Sequence, residues 1–211
     1  MFFPLFIAAV VGYLLGSLPF GYLVARAHGV DIFKEGSGNP GATNVKRVLG
    51  SKAGNMVYVL DALKGAVAAG WPYVWCLTLH RSGELCGDGL PAPYVWGIPG
   101  LIAVVVGHSF SIFTHFKGGK GVATASGGLF VLMPVPGLIA VLVWIVTFLA
   151  TRYVSLASIM GTLAVPVSAW SLGLPRALEI VATALALLVL VRHYSNIRRL
   201  FAGTEHRWQR G

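Results

Sequence analysis

The chain has 211 residues, 56% of them hydrophobic and only 11% charged, with a mean hydropathy of +0.75. That is more apolar surface than a soluble domain of this size can bury, so composition excludes a water-soluble protein and points to an integral membrane protein. The net charge of +9 does not signal nucleic acid here, because the cations fall in short polar loops and the aromatics in apolar spans, which is the positive-inside pattern.

Seven apolar spans follow one another along the chain, at residues 2–25, 55–79, 94–106, 122–133, 137–150, 154–172 and 174–191. A membrane helix needs about 20 apolar residues, so the first, second, sixth and seventh are sufficient alone. No basic residue precedes the first span, which therefore reads as a retained helix and not a cleaved signal peptide. Its N-terminus is expected outside, because Arg26, Lys34, Lys46, Arg47 and Lys52 follow it. The second span carries Asp61 and Lys64 three residues apart, an expensive pair within a membrane that reads as a structural pair near the interface, with a role supporting the site as the alternative. The glycine- and proline-containing stretch 80–93 reads as a connective outside loop, and Cys76 and Cys86 as unlinked thiols without metal spacing. The third span reaches bilayer length only by continuing into 107–116.

The fourth and fifth spans are short, and Pro134-Val135-Pro136-Gly137 between them is a strong helix breaker. Parity then decides topology. If these two spans are separate, there are seven, with the C-terminus cytoplasmic. Lys117, Lys120, Arg152, Arg192, Arg198, Arg199, Arg207 and Arg210 then join the five earlier cations inside, leaving Arg81 and Arg176 outside. The expected fold is therefore an all-α integral membrane protein of seven transmembrane helices, forming a single domain over 1–211 with three cytoplasmic polar loops.

Those loops are unusually rich in glycine, cations and hydrogen-bonding side chains: GSGNPGATNVKR at 36–47, GHSFSIFTHFKGGKG at 107–121 and HYSNIRRLFAGTE at 193–205. In the first, Gly36, Gly38 and Gly41 remove side-chain bulk while Ser37, Thr43 and Asn44 offer hydroxyl and amide groups and Arg47 a bidentate fork, a combination suited to phosphate oxygens. A capping role for Ser37 or Asn39 is the plainer alternative, and the Walker spacing is absent. In the second, Gly118, Gly119 and Gly121 directly precede an apolar helix and are accompanied by Lys117 and Lys120. A helix N-terminus of this kind favours an anion. Phe110, Phe113 and Phe116 read as packing or lipid-facing residues, and His108 as either a base or a structural hydrogen-bonding group. In the third, His193 and Asn196 share a face if the helix continues, Arg198 and Arg199 lie near headgroups, and Glu205 stands as the one acid in a cationic cluster.

The segments SGNPGATNVKR, GHSFSIFTHFKGGKGVAT and NIRRLFAGTE, in this order, resemble the three motifs of the bacterial acyl-phosphate-dependent glycerol-3-phosphate acyltransferases, the PlsY family. The resemblance implies transfer of a fatty acyl group from acyl phosphate to the 1-hydroxyl of glycerol 3-phosphate, giving lysophosphatidic acid and phosphate, the first acylation of bacterial phospholipid synthesis. It implies a multi-pass protein of the bacterial inner membrane with its site facing the cytoplasm, no cofactor or metal, membrane lipid as surroundings, and a functional link to the enzyme that makes acyl phosphate. Ser37 with Gly38 and Asn39 resembles the acyl-phosphate contact surface, and Arg47, Lys120, His193, Asn196 and Glu205 the remaining polar site residues. No histidine begins an H-x-x-x-x-D sequence, so the resemblance implies a phosphate oxygen of the donor as proton acceptor; His108, His193 and Glu205 remain alternatives. An organic-phosphate transporter is the principal rival, disfavoured by the lack of a detected repeat and by polar groups that concentrate on one face instead of near the midplane. A purely structural membrane protein leaves the glycine–lysine clusters without a reason.

Overall fold

The computed structural model describes residues 2–81 and 94–208, with the side chains of 2 and 76–81 outside that description. The stretch expected as an outside loop and the two thiols lie outside the described residues, as do the side chain of Arg81 and all of Arg210. Among the described residues every regular element is helical. The chain forms two compact units, Met1–Leu132 and Met133–Gly211.

The first unit contains α1 (Phe2–Ser17), α2 (Phe20–Ala27), α3 (Ala42–Leu49), α4 (Ser51–Arg81), α5 (Tyr94–Ser109) and α6 (Val122–Leu132), with a 3-10 turn at Ile112–Thr114. The first apolar span is thus two helices where one continuous helix was expected. Pro19 explains the break, because it lacks an N–H and its ring disfavours helical backbone at Leu18. α1 packs along α5, and α4 against α5 and α6. The helices approach through glycine: a methyl at Gly16 would collide with the Val104 carbonyl, one at Gly107 with the Tyr13 carbonyl, and one at Gly127 with the Ala62 carbonyl. Val24, Ala25, Ile32, Val45, Ala53 and Val57 form a buried cluster that ties α2 and α3 to the start of α4.

The second unit contains α7 (Pro134–Thr151), α8 (Val154–Ser171), α9 (Arg176–Arg192) and α10 (Tyr194–Phe201). The 134–137 stretch was expected to be a turn, yet α7 begins on Pro134, with Met133 alone interrupting the helices. Proline at the first helical position removes an N–H that would have no partner and presets φ, so these prolines start a helix as effectively as they would stop one. Neighbouring helices in this unit are linked by indole donors, Trp144 Nε1 to Ser158 Oγ and Trp170 Nε1 to Thr183 Oγ1, each at 3.2 Å. Arg176 lies 4.2 Å over the Trp170 ring and pairs with buried Glu179 at 3.2 Å.

Four helical runs among the described residues are long and apolar enough to cross a membrane: Phe3–Ala27, Tyr94–Thr114, Pro134–Thr151 and Val154–Ser171. A fifth results if Arg176–Arg192 and Tyr194–Phe201, bent by 60°, count as one span. The third expected span does gain its length from the residues after 106. The fourth, α6, has only 11 residues.

Gly127 and Gly70 should respond oppositely to alanine. A methyl at Gly127 meets the α4 backbone, which has no rotamer to yield, and overpacking of this kind costs about 1–3 kcal/mol. At Gly70 the nearest atom is a Val131 methyl at 3.8 Å, so alanine should be neutral or stabilising through its lower chain entropy. Thermal unfolding in detergent should show a lower Tm for Gly127→Ala and an unchanged or higher one for Gly70→Ala.

Candidate functional site

In the first unit the site starts from the break in the first span. A helix that ends inside a packed bundle leaves carbonyls without partners, and in lipid they must be satisfied within the protein. Lys64 Nζ donates to the carbonyls of Gly16 and Leu18 at 2.9 Å each, and Ser111 Oγ donates to the carbonyl of Ser17 at 2.5 Å. The buried Lys64 ammonium is neutralised by Asp61 Oδ1 at 2.9 Å, each side chain being 3% exposed. The expected supporting ion pair is present, and its lysine is what closes the break. Asp61 Oδ1 also faces His108 Nδ1 at 3.5 Å.

His108, at the end of α5, anchors the glycine–lysine loop. The Gly119 N–H donates to the His108 carbonyl at 3.0 Å. A methyl at Gly118 would strike that same carbonyl, and one at Gly119 would strike His108 Nε2. These glycines are therefore needed for close approach to the end of α5, a packing reason that the anion-binding reading of the sequence overlooked. The chain reverses between them through Thr114 Oγ1 donating to the Lys117 carbonyl at 2.6 Å and through His115 and Phe116, both in the left-handed region at φ 53° and 60°. Non-glycine residues rarely sit there, and two in succession mark a turn held by its surroundings. Gly121, at φ 87°, leads into α6. Phe113 and Phe116 are exposed, in keeping with a lipid-facing role, whereas the Phe110 carbonyl accepts the Tyr13 hydroxyl at 3.0 Å.

The first loop is organised by Asn44. Its Oδ1 accepts the Ser37 N–H at 2.8 Å and its Nδ2 donates to the Glu35 carbonyl at 2.9 Å, so the amide expected to meet a ligand ties both ends of the loop. Arg47 Nη1 lies 3.4 Å from the same Oδ1. Asn39 Oδ1 accepts the Gly41 N–H at 2.9 Å in an Asx turn, and Gly41 caps α3 without a side-chain bond, so neither Ser37 nor Asn39 is the cap. Gly36 and Gly38 have φ of 59° and 67°. The Ser37 and Thr43 side chains are exposed. A cleft of about 250 Å³, counting its open mouth, brings Pro40 of the first loop together with Lys117, Gly118 and Gly119 of the second, and with Ser17, Asp61 and His108. Sequence reasoning missed Ser17 and Ser111; Pro19 inside an apolar run was the signal available.

In the second unit the third loop builds its own network. The helix does not continue past His193 but bends there by 60°, and still both His193 and Asn196 are buried. His193 Nδ1 lies 2.8 Å from the Val189 carbonyl, an acceptor, so that nitrogen carries the proton. α10 ends with Gly203 at φ 67°, the Gly203 N–H bonded to the Leu200 carbonyl and the Thr204 N–H to the Arg199 carbonyl, which together form a Schellman motif. The reversal returns Glu205 onto α10, where Asn196 Nδ2 donates to Oε1 at 2.8 Å and Arg199 Nε to Oε2 at 2.7 Å. Burial alone would raise the Glu205 pKa; the hydrogen bonds from Asn196 and Arg199, with Ser155 and the Arg199 charge, outweigh it and hold the carboxyl below its ordinary value. Among the described residues no group of three or more His, Cys, Asp or Glu is arranged to hold a metal ion.

A carboxyl with a lowered folded-state pKa contributes stability above its unfolded value and loses it as pH falls through the folded one. The gap in Tm between the parent protein and Glu205→Gln should therefore be widest at neutral pH and close as pH drops below the ordinary glutamate range. Thermal unfolding in detergent across that range measures it.

Comparison with known proteins adds a consistent set of relatives. A family model described as glycerol-3-phosphate acyltransferase matches residues 6–203. The glycerol-3-phosphate acyltransferase of Aquifex aeolicus (strain VF5) is 43% identical over 199 residues, covering 94% of this chain and 96% of that one. That of Laribacter hongkongensis (strain HLHK9) is 44% identical over 201 residues, covering 94% and 93%. Two crystal structures of PlsY, an integral membrane glycerol 3-phosphate acyltransferase, are similar to this fold at 40% identity and 97% coverage of this chain. The glycerol 3-phosphate form has a TM-score of 0.84 over 96% of that chain, and the lysophosphatidic acid form 0.81 over 95%.

Proposed function

Since this chain belongs to the glycerol-3-phosphate acyltransferase family, we propose that it transfers a fatty acyl group from acyl phosphate to the 1-hydroxyl of sn-glycerol 3-phosphate. It is an acyltransferase of the membrane. In the proposed step the hydroxyl oxygen forms a bond to the acyl carbon, the bond from that carbon to the phosphate oxygen breaks, and inorganic phosphate leaves. The hydroxyl proton goes to a phosphate oxygen of the donor. Lysophosphatidic acid remains.

One observation carries the reading: Gly118 and Gly119, flanked by Lys117 and Lys120 in sequence, are pinned against His108 beside a cleft that also takes in the first loop. Two anionic substrates repel each other, and fixed cations on a rigid turn oppose that repulsion without reorganising during the reaction. Lys120 and Arg47 grip the phosphate of glycerol 3-phosphate, with Ser37, Gly38 and Asn39 toward the acyl phosphate. Gly41, Thr43, Asn44, Gly121 and Arg199 support the phosphate contacts, and His193, Asn196 and Glu205 serve the same reaction. Support comes also from the relatives, one of which has been solved in forms named for glycerol 3-phosphate and for lysophosphatidic acid.

Purified protein in detergent, given acyl phosphate and glycerol 3-phosphate, should release phosphate and form lysophosphatidic acid, with negligible turnover of acyl-CoA. Equal rates with the two donors would overturn the proposed donor, and no turnover would overturn the reaction. In the same assay Lys120→Met should lower kcat/KM by roughly 10- to 150-fold, the equivalent of a charge-assisted hydrogen bond of about 1.5–3 kcal/mol.

The proposed orientation has the N-terminus outside, seven spans, and the loops at 36–47, 107–121 and 193–205 in the cytoplasm of a bacterial inner membrane. It rests on the cation distribution. Single cysteines at Ser37, Thr124 and Thr204, in a background lacking Cys76 and Cys86, should each be shielded from a membrane-impermeant thiol reagent in intact cells. Labelling at 204 alone would establish six spans instead.

A further inference from the structure

The buried pair in α4 has a reach beyond its own helix. Lys64 donates to the carbonyls of Gly16 and Leu18 and forms an ion pair with Asp61 Oδ1 at 2.9 Å. Asp61 does not end there. The same oxygen that meets Lys64 also faces His108 Nδ1, and the opposite nitrogen of that ring, Nε2, lies against Gly119. An imidazole whose Nδ1 faces a carboxylate keeps its proton on Nδ1 when neutral, leaving Nε2 as the acceptor. His108, Asp61, Gly118 and Gly119 all border the same cleft.

We propose that Asp61 is a positioning residue for acyl transfer: held in place by Lys64, it fixes the orientation and tautomer of His108, and so sets which nitrogen is presented at the glycine–lysine turn. This rests on the acyl-transfer reading above and adds to it that His108, which lines the cleft, meets substrate there. It assigns to the α4 pair a task in the reaction in addition to closing the break in the first span. Asp61 and Lys64 act as one unit, because either charge left alone among buried apolar side chains would be costly.

Two measurements on the full-length protein in detergent test this. The first is a kinetic cycle comparing the parent, Asp61→Asn/Lys64→Met, His108→Gln and the triple variant, with Tm recorded for each. The double variant should lose roughly 10- to 100-fold in kcat, the scale of a misplaced reacting group. In the His108→Gln background the same two changes should cost no more than about twofold further, because they act through His108. Parent-like kcat in the double variant, or losses that multiply in the triple, would overturn the proposal.

The second measurement needs no altered pair. Nitrogen-15 NMR of histidine-labelled parent protein, with the His108 signals identified by their loss in His108→Gln, should place the proton on Nδ1 at alkaline pH. A proton on Nε2 overturns the assignment even if the double variant does not fold. Parent protein that transfers no acyl group would instead overturn the reaction, a failure distinct from a misplaced proton.

Discussion

A backbone that stops being helical inside a packed bundle frees carbonyl groups that other parts of the chain must satisfy, and the first unit is arranged around that problem. Pro19 interrupts the first apolar run, and the freed carbonyls of Gly16, Ser17 and Leu18 are collected by Lys64 from α4 and Ser111 from the second loop. Because those donors come from different parts of the chain, the break fastens α1, α4 and the turn after α5 to each other at one point. An uninterrupted helix would need none of this. It would also offer no polar backbone to border a cleft, where Ser17, Asp61 and His108 now lie together.

Glycine serves two different ends in this protein. Within helices it lets backbone meet backbone, as at Gly16 against Val104 and Gly127 against Ala62, where lipid supplies no hydrophobic drive and close packing must do the holding. In the second loop it lets the turn lie on His108, and the result resembles a lid screwed to the end of α5. Rigidity follows from both. A turn whose carbonyls and side chains are already engaged in Thr114, Lys117, His108 and Gly119 contacts keeps its lysines on a fixed base, and preorganised charge is what an electrostatic catalyst requires.

Much of this was legible in the residues. The all-helical membrane class follows from composition, and the three polar loops, with Ser37, Arg47, Lys120, His193, Asn196 and Glu205 among their residues, stand out because apolar surroundings make polar islands conspicuous. The Asp61–Lys64 pair was visible from its spacing. What could not be read was tertiary. Nothing local distinguishes an Asn44 that binds a ligand from one that ties Ser37 to Glu35, and the sequence of residues 134–137 suits a turn and a helix start equally. The return of Glu205 onto Asn196 depends on Gly203 adopting positive φ after α10, a signal present in the sequence but read only as one more glycine. Pro19 was in view too, yet its effect on the first span became clear only with the partners that make a break tolerable.

The three-residue spacing of Asp61 and Lys64 also bears on biogenesis. Both charges lie on one helix, one turn apart, so the pair can close within α4 alone. In the proposed seven-span topology α4 would then enter the bilayer as a nearly neutral segment, before α1 is beside it, and avoid the expense of carrying a bare ammonium into hydrocarbon. Had the acid been placed on another helix, α4 would have carried its ammonium unpaired until that partner arrived. Intrahelical pairing would thus uncouple the order of membrane insertion from the order of assembly.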